Sequence, residues 1–137
     1  MPLFEVDLVN DIMKPLEPRI YPAEITGFQL KKDKNDSDMV VWQMSVIEPG
    51  ENYGRELYYN TNLSNNVRLP NGEINQNARK RSNYYMQQFY NTIKAPYSAK
   101  GFATEDAVHC KCRVDVTQET FDGRIVNRVN AVLPYES

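Results

Sequence analysis

The sequence contains few of the residues that build metal centres and disulfide frameworks, with two cysteines and one histidine among 137 residues. Cys110 and Cys112 lie two positions apart, so a disulfide between them would be strained. In a strand, both thiols would point to one side and His109 to the other, which leaves too few ligands for tetrahedral zinc. We therefore predict buried structural thiols, no metal site and no cofactor.

Long apolar runs and catalytic motifs are also missing. No stretch approaches the roughly 18 consecutive apolar residues of a membrane helix, and residues 1–7 lack the basic and then apolar layout of an export signal. The sequence has no G-x-S-x-G, no phosphate-binding glycine loop and no H-E-x-x-H. These absences predict a soluble cytoplasmic protein that has no membrane partner and is not an enzyme.

The remaining composition is that of one ordinary globular domain. Of the residues, 41% are hydrophobic and 25% are charged, and the formal net charge is -2. Since the bulk charge does not attract polyanions, a nucleic-acid site would have to be a local patch. We divide the chain into an acidic N-terminal lead-in, residues 1–18, and a folded domain, residues 19–137.

Apolar residues alternate with polar ones in five segments and recur at three- and four-residue spacing in a sixth. Alternation is typical of strands with one buried face, and the longer spacing is typical of an amphipathic helix. Gly27 predicts a bend or bulge in the first strand, and Asp122 with Gly123 predicts a tight hairpin between the last two. The pattern thus predicts strands at 19–30, 39–47, 55–64, 107–117 and 124–133, and a helix at 76–93.

This order of elements predicts an OB-fold, a mainly β architecture in which a five-stranded barrel carries one amphipathic helix between strands three and four. Each predicted strand has one apolar and one polar face, as a barrel requires. A two-layer sandwich of a sheet and a helix is the structural alternative. In an OB-fold, the binding surface comprises strands two and three, the loop between strands one and two, and the loop between strands four and five.

Three segments occur in a distinctive order and spacing: YPAEI at 21–25, GREL at 54–57 and DGRIVNRV at 122–129. In these segments the chain resembles bacteriophage-encoded single-stranded-DNA-binding proteins built on an OB-fold. The resemblance implies a protein that coats and protects unpaired DNA in phage replication or recombination, largely independent of sequence. It also implies contacts with phage or host replication and recombination proteins. Many such proteins end in an acidic tail, which residues 134–137, PYES, do not provide.

Binding of unpaired DNA requires cations that follow the phosphates and flat rings on which bases stack. The loop between the first two strands offers Lys31, Lys32 and Lys34, although the neighbouring acids are equally consistent with a solvated hairpin. The loop between the last two strands offers Phe121 and Arg124. We favour stacking on Phe121, because an apolar ring at a loop tip is exposed unless something covers it.

The strands offer further candidates. On strand three the alternation turns Tyr58 outward beside Arg55, and this pair is the favoured platform. Trp42 shares a face with apolar residues, so core packing is favoured over base stacking there, whereas the bend at Gly27 is expected to expose Phe28. Outward cations of the last two strands are equally consistent with phosphate contact and with a solvated wall. They are Lys111, Arg113 and Arg128.

The segment 76–100 has the strongest local charge asymmetry, with five cations and no acids. The cations are Arg79, Lys80, Arg81, Lys94 and Lys100. Such a segment extends a phosphate track, binds an acidic partner or is simply solvated. Tyr84 and Tyr90 lie off the apolar stripe of the predicted helix, and at least one of them is expected to be exposed.

The sequence thus predicts a single-stranded-DNA-binding protein. The alternative is a protein-interaction or structural module, such as a phage assembly component or an inhibitor of a host factor, because small barrels carry many unrelated functions. The sequence leaves open whether the protein is a monomer or a homodimer, and whether it prefers DNA or RNA.

Overall fold

The computed structural model describes residues 3–10 and 12–136, and most of the regular secondary structure in them is β-strand. The strands are β1 (Arg19–Lys32), β2 (Asp38–Val46), β3 (Glu56–Asn62), β4 (Tyr97–Ser98), β5 (Gly101–Phe102), β6 (Lys111–Phe121) and β7 (Arg124–Pro134). The helix α1 (Gln76–Ile93) joins β3 to β4, and a 3-10 helix (Thr104–Ala107) precedes β6. This part of the chain is mainly β with one α-helix, as the sequence predicts.

Five of the strands form one antiparallel sheet in the order β3-β2-β1-β6-β7. The long first strand is shared between two neighbours. It pairs with β6 from Arg19, which lies opposite Val116, and it pairs with β2 up to Lys32, which lies opposite Asp38. The loop at 33–37 and the β6–β7 hairpin therefore lie beyond opposite ends of β1. β4 and β5 form a separate two-stranded hairpin.

Hydrogen bonds do not close the sheet into the expected barrel. β3 and β7 are its two edges: some of their Cα atoms come within 8 Å of each other, but the strands share no ladder. α1 contacts both edge strands, so side-chain packing takes the place of a ladder there. The order of elements also differs from the expectation, because the β4–β5 hairpin and the 3-10 helix intervene between α1 and β6. The strand expected from residue 107 consequently begins at Lys111.

Two bulges change which residues face the core. In β1 the register with β2 shifts next to Gly27, as predicted, and Phe28 then lies opposite Trp42. In β7 the register with β6 also shifts, so Val132 packs against the core in place of Leu133. The uniform alternation expected for the last strand is therefore wrong.

The helix buries one face against the sheet, with Met86, Phe89, Tyr90 and Ile93 at the spacing of an amphipathic helix. Its bounds match the predicted 76–93. The side chain of Asn75 caps the first turn by accepting a 3.1 Å hydrogen bond from a backbone N–H. Within the part of the chain that the structure describes, no helix has the length and apolar character needed to cross a membrane.

The core continues from the sheet into the N-terminal segment. Leu16 is buried beyond the end of the sheet where β1 begins. Its backbone N–H donates to the Asn127 side chain at 2.8 Å, and its carbonyl accepts hydrogen bonds from Gln118 and Asn127 at 2.9 Å each. The last residues of the acidic lead-in are therefore fixed to the folded body.

Candidate nucleic-acid interface

Of the three lysines predicted in the first loop, the structure places Lys31 and Lys32 at the end of β1 and only Lys34 in the loop. Lys31 and Lys34 are exposed and form no ion pair with any described residue. The Lys32 ammonium lies 2.6 Å from an Asp38 carboxylate oxygen. This hydrogen bond raises the pKa of Lys32 and lowers the pKa of Asp38. The end of β1 and the loop after it thus offer one cation each to a phosphate backbone, and Lys32 is held in an internal pair.

Arg55, which precedes β3, and Tyr58, which lies in it, are hydrogen-bonded to other residues. The Arg55 guanidinium donates a 2.7 Å hydrogen bond to the Lys14 carbonyl, so it holds the N-terminal segment instead of flanking Tyr58. Tyr58 is 55% exposed, and its hydroxyl donates to a Glu56 carboxylate oxygen at 3.1 Å. This hydrogen bond raises the pKa of Tyr58. The Tyr58 ring is exposed, but the Glu56 carboxylate to which it is hydrogen-bonded is negatively charged and repels phosphate.

Trp42 and Phe28 belong to the inner side of the sheet. Trp42 is fully buried, its indole N–H donates a 2.9 Å hydrogen bond to the Thr61 hydroxyl, and its ring packs against Phe89 and Tyr90. Core packing of Trp42 is confirmed, so it is not a stacking surface. Phe28 is half-buried, with its ring centroid 6.2 Å from that of Trp42. Its expected exposure is wrong, because the bulge leaves it on the same side of the sheet as Trp42.

The tip of the β6–β7 hairpin presents Phe121 and Arg124, as predicted. Phe121 is 64% exposed. Arg124 is exposed and forms no ion pair with any described residue. Asp122 and Gly123 occupy the turn with φ values of 53° and 76°, the backbone of a tight hairpin that this residue pair adopts readily.

Three further candidate cations on β6 and β7 have partners within the chain. The Arg128 guanidinium lies 3.2 Å from a carboxylate oxygen of β6. Arg113 donates a 2.8 Å hydrogen bond to the Pro134 carbonyl. The Lys111 ammonium lies 5.7 Å from the centroid of the Tyr135 ring, within the range of a cation–π contact. For these side chains the solvated wall is the better supported interpretation.

Five predicted side chains remain exposed and define what we call the strand face: Lys31, Lys34, Tyr58, Phe121 and Arg124. They do not converge on one groove. Two belong to the region of loop 33–37 and two to the β6–β7 hairpin, beyond opposite ends of β1, which has 14 residues. Since a strand rises about 3.3 Å per residue, these ends are far apart along the chain direction.

A different surface brings cations and rings together. α1 and the β4–β5 hairpin enclose an open groove of about 550 Å³, which we call the helix–hairpin groove. This volume lies within the roughly 300–1,000 Å³ of small-ligand sites. Buried and half-buried apolar groups line its floor, and no carboxylate lines it. Its exposed lining includes Lys80, Tyr84, Tyr97 and Lys100.

Tyr90 ties the helix to the hairpin and so shapes the groove. Its hydroxyl donates a 2.6 Å hydrogen bond to the Ala103 carbonyl, and its ring meets that of Phe102 edge-on at 5.2 Å. Burial raises the pKa of Tyr90. The hairpin pairs Tyr97 with Phe102 across a turn that ends at Gly101, whose φ of 137° is accessible to glycine.

The sequence indicates part of this groove. The charge asymmetry of segment 76–100 includes both of its lysines, Lys80 and Lys100. Tyr84 is 55% exposed, as expected for at least one tyrosine off the apolar stripe, whereas Tyr90 is fully buried. The hairpin packs against the helix on the side of Tyr90, which widens the buried face beyond the stripe that the spacing predicts.

Sequence reasoning misses Tyr97 and Phe102, the two hairpin rings of the groove. Strands of two residues are too short to show alternation, so the segment is indistinguishable from a connector. A signal is nevertheless present, because aromatic residues flank a short turn that ends in Gly101. That arrangement is compatible with a hairpin.

The cysteines and the histidine do not build a metal centre. Cys112 is buried as predicted, and burial raises the pKa of its thiol to about 12. Cys110 is only half-buried, because it precedes β6 instead of lying within a strand. Among residues 3–10 and 12–136, no group of three or more His, Cys, Asp or Glu side chains is placed to hold a metal ion.

No protein-family model and no curated protein matches this chain. The function is therefore inferred from its own side chains and their geometry.

Proposed function

We propose that the protein binds single-stranded DNA largely without reading its sequence, and that the helix–hairpin groove is its main contact surface. One observation carries this proposal: two lysines and three accessible aromatic rings line a single groove that no carboxylate enters. The biological role that follows is the coating of unpaired DNA in phage replication or recombination, alongside phage or host proteins of those processes.

Lys80 and Lys100 supply the positive charge for phosphates. A strand of DNA releases condensed counterions when its phosphates meet lysines, and this release drives binding at low salt. Both lysines are exposed, and neither forms an ion pair with a described residue. No internal pair therefore has to break before they reach DNA.

Tyr84, Tyr97 and Phe102 supply surfaces for the bases. Stacking on an aromatic side chain stabilises binding by about 1–3 kcal/mol per base and accepts every base, because each has a π-face. Tyr84 and Tyr97 are 55% and 41% exposed, and Phe102 is half-buried below them. Contacts of this kind favour a coating protein over a protein that reads a sequence.

The finer description of the fold that we propose is a partly open OB-fold barrel. The order β3-β2-β1-β6-β7, with the helix after the third strand, matches OB-fold topology when β6 and β7 are taken as the fourth and fifth strands. The approach of β3 to β7 supports a nearly closed sheet. The strand face would then be a secondary track for the DNA, because OB-folds commonly use the surface of strands two and three.

A fluorescence titration tests DNA binding itself. The protein is titrated into labelled oligo-dT at low and high salt in the presence of excess unlabelled duplex. We expect binding that duplex does not displace and that weakens with salt, with a slope of log affinity on log salt of about −0.7 for each phosphate contact. No binding, an affinity independent of salt or a preference for duplex would contradict the proposal.

Two matched charge reversals test where the DNA binds. Lys80→Glu with Lys100→Glu reverses the charge of the two groove lysines. Lys31→Glu with Lys34→Glu changes the net charge by the same amount on the strand face. We expect the first pair to weaken oligo-dT binding by roughly tenfold or more and the second by less than about threefold. All four side chains are exposed, so melting temperatures should remain close to that of the unmodified protein. Equal losses would refute the groove as the main contact surface.

A protein-interaction module is the second candidate function, and the exposed apolar residues near the N-terminus favour it. Leu3, Phe4 and Leu8 are each more than three-quarters exposed, and exposed apolar patches mark interaction sites in many proteins. If the titration shows no binding of oligo-dT, this function becomes the better supported one.

A further inference from the structure

The N-terminal segment exposes a series of large apolar side chains. We call residues 3–10 and 12–13 the apolar arm. Seven of its side chains are more than half exposed: Leu3, Phe4, Val6, Leu8, Val9, Ile12 and Met13. Since hydrating apolar surface is unfavourable, a series of this length is typical of a segment that binds another surface.

The structure fixes the root of the arm but leaves the arm itself free. Arg55 donates its hydrogen bond to the Lys14 carbonyl, and Leu16 is buried against the side chains of Gln118 and Asn127. These contacts hold the root at the end of the sheet where β1 begins. The helix–hairpin groove lies between α1 and the β4–β5 hairpin.

Apolar and acidic residues alternate in the arm. Phe4, Val6 and Leu8 are separated by Glu5 and Asp7, and residues 3–10 contain no cation. In an extended backbone, alternate side chains point to opposite sides. In the single chain the Asp7 carboxylate accepts hydrogen bonds from the backbone N–H groups of Val9 and Asn10 and caps a turn over residues 8–10. An arm that opens this turn and extends presents an apolar edge on one side and two carboxylates on the other.

The helix–hairpin groove is complementary to this pattern. Its floor is apolar, with Met86 and Tyr90 buried and Phe102 half-buried. Its exposed rim carries Lys80 and Lys100 and no acid. From this complementarity in apolar character and charge we infer that the apolar arm of one copy docks in the helix–hairpin groove of a second copy. The arm's apolar edge lies on the groove floor, and its carboxylates meet the rim lysines.

Reciprocal exchange of arms between two copies gives a closed dimer. The arm and the groove are different patches, so one arm in one groove leaves a free arm and a free groove. When each copy gives its arm to the other, both patches are covered and association stops at two copies. The arm is exposed in the single chain and does not line its own groove, and this exposure favours exchange between copies.

Charge reversal tests the contact in the full-length protein without nucleic acid. One variant carries Glu5→Lys and Asp7→Lys in the arm, and another carries Lys80→Glu and Lys100→Glu in the groove. By sedimentation velocity over a micromolar concentration series, we expect the unmodified chain to form dimers. Each variant alone should dimerise at least roughly tenfold more weakly, because like charges then face each other.

A mixture of the two variants distinguishes exchange from docking within one chain. Each arm is again opposite in charge to the other variant's groove, so the mixture should form heterodimers although neither variant dimerises well alone. A chain with all four substitutions should also regain dimers. A monomeric unmodified chain, or a mixture that does not associate, would overturn the inference. The arm and DNA compete for the same groove, so the DNA titration is made at protein concentrations below those at which the chain dimerises. Dimerisation is measured without DNA, and either result therefore leaves the DNA proposal to its own titration.

Removal of apolar side chains gives an independent test. Phe4→Ser with Leu8→Ser should weaken dimerisation by roughly tenfold or more, because the buried apolar edge is lost. Both residues are 77% exposed in the single chain, so its melting temperature at low protein concentration should not change. Phe121→Ser with Leu30→Ser is the matched control, since these side chains are 64% and 71% exposed outside the arm, and it should leave dimerisation unchanged. Equal effects of the arm and control variants would contradict the inference.

Discussion

The helix–hairpin groove and the strand face contain the same kinds of side chain and differ in how these are arranged. In the groove, two lysines and three accessible rings surround one space of about 550 Å³ that no carboxylate lines. On the strand face, three cations and two rings are spread along the sheet, and Tyr58 is hydrogen-bonded to Glu56. A polyanion gains most where it makes several contacts at once, so convergence distinguishes a binding surface from a charged surface.

Several cations around the strand face have bonding partners within the chain, whereas the groove lysines do not have them among the described residues. Around the strand face, Lys32 is paired with Asp38, Arg128 with an acid of β6, and Arg55 with a backbone carbonyl. A cation that is paired with a carboxylate gains less from a phosphate, because its charge is already partly compensated, and the contact to Lys14 restricts where the Arg55 guanidinium can point. The groove lysines have no such partner among the described residues.

The largest expected effect comes from a change that disrupts both regions. Trp42 joins the sheet to the groove, because its ring packs against Phe28 on one side and against Tyr90 of the groove floor on another. Trp42→Ala removes a fully buried ring and the partner of the Thr61 hydroxyl. We expect the free energy of unfolding to fall by about 3–5 kcal/mol, measured by urea denaturation followed by circular dichroism. An unchanged denaturation midpoint with reduced oligo-dT binding would contradict the core assignment.

Substitution of exposed aromatic residues in the groove and on the strand face should have an intermediate effect on oligo-dT binding. Tyr84→Ala with Tyr97→Ala removes two groove rings, and Tyr58→Ala with Phe121→Ala removes two rings of similar exposure from the strand face. Loss of stacking, at about 1–3 kcal/mol per base, should weaken oligo-dT binding by roughly tenfold or more for the groove pair. We expect less than about a twofold loss for the strand-face pair. A competition titration measures both, and a larger loss for the strand-face pair would reverse the comparison.

The smallest expected effect follows from disruption of the Lys32–Asp38 ion pair. Asp38→Asn frees Lys32, and we expect oligo-dT binding to strengthen by less than about twofold, since exposed ion pairs contribute little. The hydrogen bond from Lys32 lowers the pKa of Asp38 in the folded state. The stabilisation is therefore present above the unfolded-state pKa and is lost as pH falls through the folded-state value. The melting-temperature difference between this variant and the unmodified chain should be small at neutral pH and vanish in strong acid. A difference that grows on acidification would contradict this reasoning.

Features with a local cause could be predicted from the sequence. The bounds of α1 follow from the spacing of its apolar residues, the bulge at Gly27 from glycine in an alternating strand, and the hairpin at Asp122 and Gly123 from their turn preference. The burial of Trp42 follows from the apolar residues that share its face. In each case the deciding interactions lie within a few residues of one another.

The amino-acid sequence by itself determined the mainly β character, the five long strands, the helix and the charge asymmetry of segment 76–100. Only the tertiary structure decided that Arg55 binds the Lys14 carbonyl, that Leu16 packs beside Asn127, and that the helix and the β4–β5 hairpin enclose a groove. The first two contacts join segments that are 41 and 111 positions apart, and the groove depends on how the hairpin folds back against the helix that precedes it. Periodicity and turn preference act over a few residues, so they fix local elements but not which side chains of distant elements meet.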